Sequence, residues 1–229
     1  LQWLGWSFLC LLVILLAMEG WRYGIMPSEK NNQELIESSL DEAAQFFIAK
    51  QEELLTNSQH VANTLKAPLL QDRSERYLYD ILNQPDFWSA ALLHDKEPIS
   101  WKGFALQGLD DNNERNQGDS QILLKRHNNV IYWECHIPIS IQDSTTTLQY
   151  DLFTTYRIKQ NNPLAIGNQS EFNLFSSSQF STPYPINFSI FSSPPDRPVQ
   201  SQSLTNIQGD SVGVVYATAD KFQLTQAEW

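Results

Sequence analysis

The sequence predicts an α+β protein in which an N-terminal transmembrane helix runs into a long helix that carries antiparallel sheets. Three patterns predict this: an uncharged apolar stretch at the N-terminus, a long run of apolar residues at helical spacing, and, further along, short alternating segments separated by turn residues. We divide the chain into a transmembrane helix at 1–24, a stalk helix at 25–68, a membrane-distal lobe at 69–160 and a smaller membrane-proximal lobe at 161–229.

The N-terminal stretch has the length and the ends of a membrane span. Leu1 to Met18 contains no charged residue, and Phe8–Ala17 is almost entirely Leu, Val, Ile and Phe. As a helix, Trp3 to Trp21 would extend about 27 Å, close to a hydrocarbon core of about 30 Å. A cleaved signal peptide would instead show a basic start and a small-residue cleavage site. We therefore expect residues 1–24 to contact membrane lipid.

The orientation of this span rests on composition. Arg22 and Lys30 follow the apolar stretch, which by itself favours a cytoplasmic side for the following residues. The chain does not begin with Met, so we expect residues upstream of Leu1. Positive charges among them can reverse the orientation that Arg22 and Lys30 favour. The abundance of Asn, Gln, Ser and Thr favours export. We place the domain outside the cytoplasm, anchored in the inner membrane.

Charge and cysteine content narrow the class of protein. The formal net charge is −11 and the pI is about 4.7, which disfavours a nucleic-acid partner because such proteins need a basic surface. The two cysteines are Cys10, in the apolar stretch, and Cys135. They have no zinc-finger spacing, and we expect Cys135 to be a small buried hydrophobe. No cofactor is expected.

A long amphipathic helix follows the apolar stretch. Ser28 is the expected N-cap, and Pro68 is the first breaker after it. Apolar or small residues alternate at spacings of four and three: Ile36, Leu40, Ala43, Phe47, Leu54, Ser58, Val61 and Leu65. We expect this helix to pair with a second copy near the membrane, forming a homodimer, and to cover a sheet further out. A second face, at Leu35, Phe46, Ile48 and Leu55, would give it apolar width for two partners.

Shorter elements follow the long helix. A helix is predicted in "RSERYLYDILNQPD" (73–86), with Tyr77, Leu78, Ile81 and Leu82 on one face and Pro85 at its end. Hairpins are then predicted around the turns His94–Glu97 and Asn128–Asn129, and at the end of the chain around Gly209–Asp210. The segment Asp110–Asp119 has almost no apolar residue and is predicted to be a solvated loop.

This order of elements resembles the Cache-type, PAS-like extracytoplasmic sensor domains of bacterial transmembrane receptors. The resemblance rests on the helix 28–66, on "AALLHDKEPISWKG" (90–103), on "LLKRHNNVIYWECHIPI" (123–139) and on "NIQGDSVGVVYATAD" (206–220). It implies a signal-transduction input domain for a small-molecule ligand, in a protein such as a two-component sensor histidine kinase. It also implies a second transmembrane helix beyond Trp229. The ligand itself is not implied.

Candidate site residues are chosen for the walls and anchors of a small-molecule pocket. Aromatic walls with a few polar anchors are typical of such pockets, and cations suit an anionic group. The candidates are Trp101, Tyr132 and Tyr156 as walls and Lys102, Arg126 and Arg157 as anchors. The alternative is that the aromatic residues fill the core and the cations are solvated.

Catalysis is not expected in these residues. The sequence has no nucleophile elbow, P-loop or dinucleotide fingerprint, and its histidines lack metal-ligand spacing. Glu134 and His136 would share a strand face, whereas Cys135 and His136 would point to opposite faces and cannot form a dyad. The main alternative function is a membrane-anchored, non-signalling module for envelope assembly or adhesion.

Overall fold

A computed structural model describes residues 29–71, 75–103, 120–142, 146–160, 172–176, 179–182, 184, 186–191 and 198–218. The predicted transmembrane span at 1–24 and the predicted loop at 110–119 lie outside these residues. Among the helices that it describes, none combines the length and the apolar character needed to cross a membrane. The α+β class is confirmed, with a long helix and antiparallel sheets.

The described elements form two helices and two sheets. The helices are α1 (Glu29–Leu70) and α2 (Glu75–Asn83). Sheet A contains β1 (Ser89–His94), β2 (Glu97–Lys102), β3 (Gln121–His127), β4 (Val130–Gln142), β5 (Thr147–Gln160) and β6 (Phe172–Asn173), in the order β2-β1-β5-β4-β3, with β6 paired to the end of β5. Sheet B contains β7 (Asn187–Ile190), β8 (Pro198–Thr205) and β9 (Ser211–Thr218), in the order β7-β9-β8. Every strand pair is antiparallel.

The apolar stripe predicted for the long helix is buried along its whole length. All eight predicted positions, from Ile36 to Leu65, are at most 2% exposed. The helix continues through Pro68 to Leu70, because a proline in the last turn removes only one helical hydrogen bond. In α2, Leu78, Ile81 and Leu82 are buried as predicted, but Tyr77 is 49% exposed, since it lies about 100° from Leu78 around the helix.

Because this stripe is buried within one chain, it is not exposed to a second copy. The first half of α1 packs on sheet B and the second half on sheet A, and both sheets contribute to one apolar core. Phe46 and Leu55, predicted on a second face, pack against the same core, while Leu35 is 38% exposed. A second copy would therefore have to meet the exposed side of α1.

The hairpin turns form where the sequence predicts them. Asp95 and Lys96 have φ values of 49° and 70°, and Asn128 has a φ of 52°. In the last hairpin Gly209 has a φ of 89°, and the Asn206 side chain accepts hydrogen bonds from the backbone N–H groups of Gln208 and Asp210. Asn and Asp adopt left-handed backbone conformations at little cost, and Gly at none, so the residues at Asp95, Asn128 and Gly209 favour these turns locally, whereas Lys96 has no such preference.

Three polar residues interrupt the buried side of α1, and each bonds to a different element. Ser39 Oγ accepts a hydrogen bond from the backbone N–H of Tyr184. Gln51 donates to the carbonyl of Thr205 and accepts from the N–H of Ile207, at 3.3 Å each. Ser58 Oγ lies 2.5 Å from Thr154 Oγ1 on β5. All three helix residues are fully buried, so these bonds fix the position of each sheet along the helix.

The predicted burial of Cys135 is confirmed. Its thiol is fully buried on the side of β4 that faces α1, near the hydroxyls of Ser58 and Thr154. Burial raises the pKa of Cys135 to about 11, although hydrogen bonds to the two hydroxyls act in the opposite direction. A thiol in this environment is protonated at neutral pH and is a poor nucleophile.

Replacement of Gln51 tests the link between α1 and sheet B. Gln51→Ala leaves the Thr205 carbonyl and the Ile207 N–H without this partner, and we expect a loss of about 1–3 kcal/mol in the free energy of unfolding. Urea denaturation measures it. Gln33→Ala, at an exposed position of the same helix, should change stability by no more than about 0.5 kcal/mol. Equal effects of the two substitutions would contradict the link.

The raised pKa of Cys135 predicts a dependence of stability on pH. In the unfolded chain the thiol ionises near its ordinary pKa, whereas in the folded chain it stays protonated up to a pH of about 11. Its contribution is therefore complete below pH 9 and declines as the pH rises from 9 to 11. The free energy of unfolding of the native chain should fall over this range by about 1–3 kcal/mol more than that of Cys135→Ala. Parallel curves for the two chains would show that the thiol does not titrate as described.

Candidate functional site on the outer face of sheet A

Sheet A has two faces with different surroundings. We call the side that packs on α1 the helix face; it carries Trp133 and Cys135 of β4 and Leu152 of β5. The opposite side, the outer face, carries the alternate residues, because successive strand side chains point to opposite sides. Ala91, Leu93 and Phe153 form a small apolar cluster there, separate from the main core.

A buried histidine lies at the centre of the outer face. His136 is 7% exposed, and its ring stacks on Phe153 with centroids 4.7 Å apart and planes 12° apart. Its Nε2 lies 2.6 Å from Asp151 Oδ1; because a carboxylate can only accept, we assign the hydrogen to Nε2, which donates this hydrogen bond. The other ring nitrogen, Nδ1, is buried and has no hydrogen-bond partner among the described residues. A buried polar atom of this kind is suited to a ligand group that supplies the missing hydrogen bond.

An ion pair and two hydroxyls continue the polar row beside His136. Glu134, two residues before His136, is 3% exposed, and its Oε1 lies 2.9 Å from Nζ of Lys125 on β3. On the other side, Ser89 Oγ and Thr155 Oγ1 lie 2.6 Å apart and are buried. Thr155 pairs with Glu134 across the sheet. The outer face therefore holds charged and hydroxyl groups away from bulk water, where electrostatic interactions are strong.

The next row holds an aromatic pair and an arginine. Tyr132 contacts Trp88, with ring centroids 5.7 Å apart, and burial together with the charge of Glu134 raises its pKa. Arg157, opposite Tyr132 in the sheet, donates to Gln160 and lies 4.1 Å over the ring of Phe172. Burial lowers the pKa of Arg157, and its buried Nε has no hydrogen-bond partner in the described part of the chain.

The structure separates the six predicted site residues into two groups of three. Trp101, Tyr132 and Arg157 occupy the outer face, where Trp101 pairs with Ala91 and is 51% exposed. The remaining three, which are Lys102, Arg126 and Tyr156, belong to the helix face by their register.

None of the three helix-face residues faces the outer side of the sheet, and each has different surroundings. The ammonium of Lys102 donates to the carbonyl of Pro85, and Arg126 is exposed. Tyr156 packs against Trp133, at 6.0 Å between ring centroids, and burial raises its pKa. These three therefore cannot share one small ligand with the outer-face group.

Sequence reasoning missed the residues that give the outer face its chemistry. Glu134 and His136 were expected to share a face, and they do, but each has its own partner, Lys125 and Asp151. Cys135 and His136 point to opposite faces, as predicted. The alternation of side chains along β4 places His136 on the same face as Glu134, and this pattern was the signal in the sequence for His136. The partnership with Asp151 depends on the register of β4 against β5, which the sequence does not display.

The outer face has no arrangement typical of metal catalysis within the described ranges, since no three His, Cys, Asp or Glu side chains cluster there. Its geometry suits binding: paired charges, hydroxyls and aromatic walls. No family model, curated protein or solved structure matches this chain.

The ion pair on the outer face provides a test of its burial. Lys125→Met removes the cation next to a carboxylate that is 3% exposed, and we expect a loss of about 2–4 kcal/mol in the free energy of unfolding. The neighbouring substitution Arg126→Met, at an exposed position, removes the same charge and should cost no more than about 0.5 kcal/mol. Urea denaturation compares the two. Similar losses would show that Glu134 is not desolvated.

Proposed function

We propose that this chain is the ligand-sensing input domain of a membrane-bound signal-transduction receptor, of the sensor histidine kinase type. The sheets lie outside the cytoplasm, and residues 1–24 anchor the chain in the inner membrane. The observation that carries this proposal is α1, a single helix of 42 residues that packs on both sheets. Its length is about 63 Å at a rise of 1.5 Å per residue.

The contacts of α1 support a role in transmission. Gln51 bonds to the end of β8 and the turn that follows it, and Ser58 bonds to β5, so the two sheets are attached to the same helix two turns apart. Protein interiors are close-packed and deform little, so a shift of sheet A moves the helix as a body rather than being absorbed locally. The N-terminal end of α1 follows the predicted membrane span.

The outer face of sheet A supports a role in recognition. His136 Nδ1 and Arg157 Nε are buried nitrogens without hydrogen-bond partners among the described residues, and the row formed by Glu134 and Thr155 lies between them. A small polar ligand that supplies these hydrogen bonds would favour the arrangement of the sheet that best holds it. It can shift the equilibrium between two arrangements by no more than its difference in affinity for them.

A homodimer completes the proposal. The exposed side of α1 presents small or polar residues at spacings of four and three, namely Gln45, Ala49, Glu52, Thr56 and Gln59. Two copies that meet through this side would form a polar seam, which tolerates rotation or sliding better than an apolar one because few tightly packed contacts must be broken.

Ligand binding at the outer face can be tested by thermal shift. The full chain is screened against small metabolites, and a true ligand at 100 times its Kd should stabilise the fold by about 2.7 kcal/mol. His136→Gln should weaken binding of that ligand at least tenfold, because the new side chain cannot reproduce the ring nitrogen and its stack on Phe153. His60→Gln, at an exposed position of α1, is the matched control and should bind normally.

Two results would contradict separate parts of the proposal. Unchanged affinity in His136→Gln would place the ligand elsewhere. The signalling role is tested by attaching a spin label at Gln59→Cys, in a chain with Cys10→Ser and Cys135→Ala, and measuring the distance between the two copies. A ligand that binds at the outer face but leaves that distance unchanged would show binding without transmission along α1.

A further inference from the structure

The edge of sheet B at β8 forms a groove with the first half of α1. β8 is the edge strand in the order β7-β9-β8, and among the described residues it pairs only with β9. Glu37, Leu40 and Asp41 of α1 and Gln200, Ser201 and Gln202 of β8 line a groove of about 310 Å³. Such an edge presents unpaired backbone N–H and C=O groups to any extended segment that enters the groove.

The protections typical of natural edge strands are missing from this stretch of β8. Gln200–Thr205 contains no charged residue and no proline, and its register with β9 is regular from Gln200 to Leu204. Natural edges commonly carry a lysine, a proline or a central bulge, which block the addition of another strand. β8 carries such features only at its ends, namely Pro198 and register shifts between Pro198 and Gln200 and between Leu204 and Thr205, and Gln200–Leu204 is the regular stretch between them.

The helix wall of the groove gives the expected charge of an occupant. Glu34, Glu37, Asp41 and Glu42 are exposed on α1, and no Lys or Arg occurs between Gln33 and Ala49. Glu37 and Asp41 accept hydrogen bonds from the neutral amides of Gln200 and Gln202, at 3.1 and 2.8 Å, so both carboxylates lie in the lining of the groove and have no cationic partner among the described residues there. The chain as a whole has a net charge of −11.

We infer that this groove binds an extended, basic segment of a partner protein, which adds to β8 as a fourth antiparallel or parallel strand of sheet B. The backbone of the segment would pair with the β8 edge. The basic side chains on one side of the segment would reach Glu37 and Asp41. Addition of a peptide strand to a sheet edge beside a helix is a general mode of peptide recognition. This site is separate from the outer face of sheet A.

The experiment measures binding of labelled octapeptides to the full chain by fluorescence anisotropy. The probe is an alternating Lys-Val octapeptide. One control has the same sequence with every second backbone nitrogen methylated, which keeps the charge but blocks strand pairing, and a second control alternates Glu and Val. We expect the unmodified Lys-Val probe to bind at least tenfold more tightly than either control, and to slow hydrogen exchange of backbone amides in 200–205.

Variants locate the site on the chain. Glu37→Lys with Asp41→Lys should weaken binding of the Lys-Val probe at least tenfold. Glu75→Lys with Asp80→Lys makes the same change in net charge at exposed positions of α2, outside the groove, and affinity should stay within about twofold. Equal binding of the methylated probe would reduce the effect to general charge attraction and overturn the inference. Alternate amides of 200–205 pair with β9, so slow exchange of the remaining, outward-pointing amides before any peptide is added would also overturn it. In that case sedimentation would show whether a second copy already covers the edge.

Discussion

Burial of one stripe of α1 is the constraint on which both sheets depend. A three-stranded sheet of short strands is marginal alone and needs an apolar face packed against another element. Sheet B finds that element in the first half of α1, where Ile36 and Leu40 are at most 2% exposed. Full burial of such a side chain contributes about 1.5–3 kcal/mol. The second half of the helix does the same for sheet A, so a single helix organises the core of both.

The polar residues within that stripe determine where α1 lies against the two sheets rather than how strongly it packs on them. Apolar side chains pack in many neighbouring registers with similar energies, whereas a buried hydrogen bond is satisfied only in one. Ser39, Gln51 and Ser58 each bond to a different element, and Phe47 packs edge-on against Trp133 between them. A displacement of α1 by one turn would leave all three polar groups buried without partners. The helix therefore has a defined position relative to both sheets.

Local features were predictable from the sequence, and long-range register was not. The stripe of α1 follows from the 3.6-residue period, and the turns at Asp95 and Asn128 follow from residues that tolerate positive φ. The hydroxyl pair of Ser89 and Thr155, by contrast, joins residues 66 positions apart. It depends on β1 inserting between β2 and β5, which no local pattern encodes. Alternation also did not predict that Glu134 and His136 are buried. It indicates on which face of the sheet a side chain lies, but not whether other residues cover that face.

The two proposed sites have α1 in common, and this has a thermodynamic consequence. Sheet A contacts α1 through β5, where Thr154 bonds to Ser58, while the β8 groove is itself bounded by Glu37 and Asp41 of the same helix. If occupancy of either site favours the same one of two arrangements of the chain, the other site is affected by that change, and linkage makes the two effects equal. A basic segment bound in the groove would then change the affinity of the chain for the small ligand by a certain factor. The small ligand would change the affinity of the chain for the segment by the same factor. Under the proposed function, the chain would thereby combine two inputs.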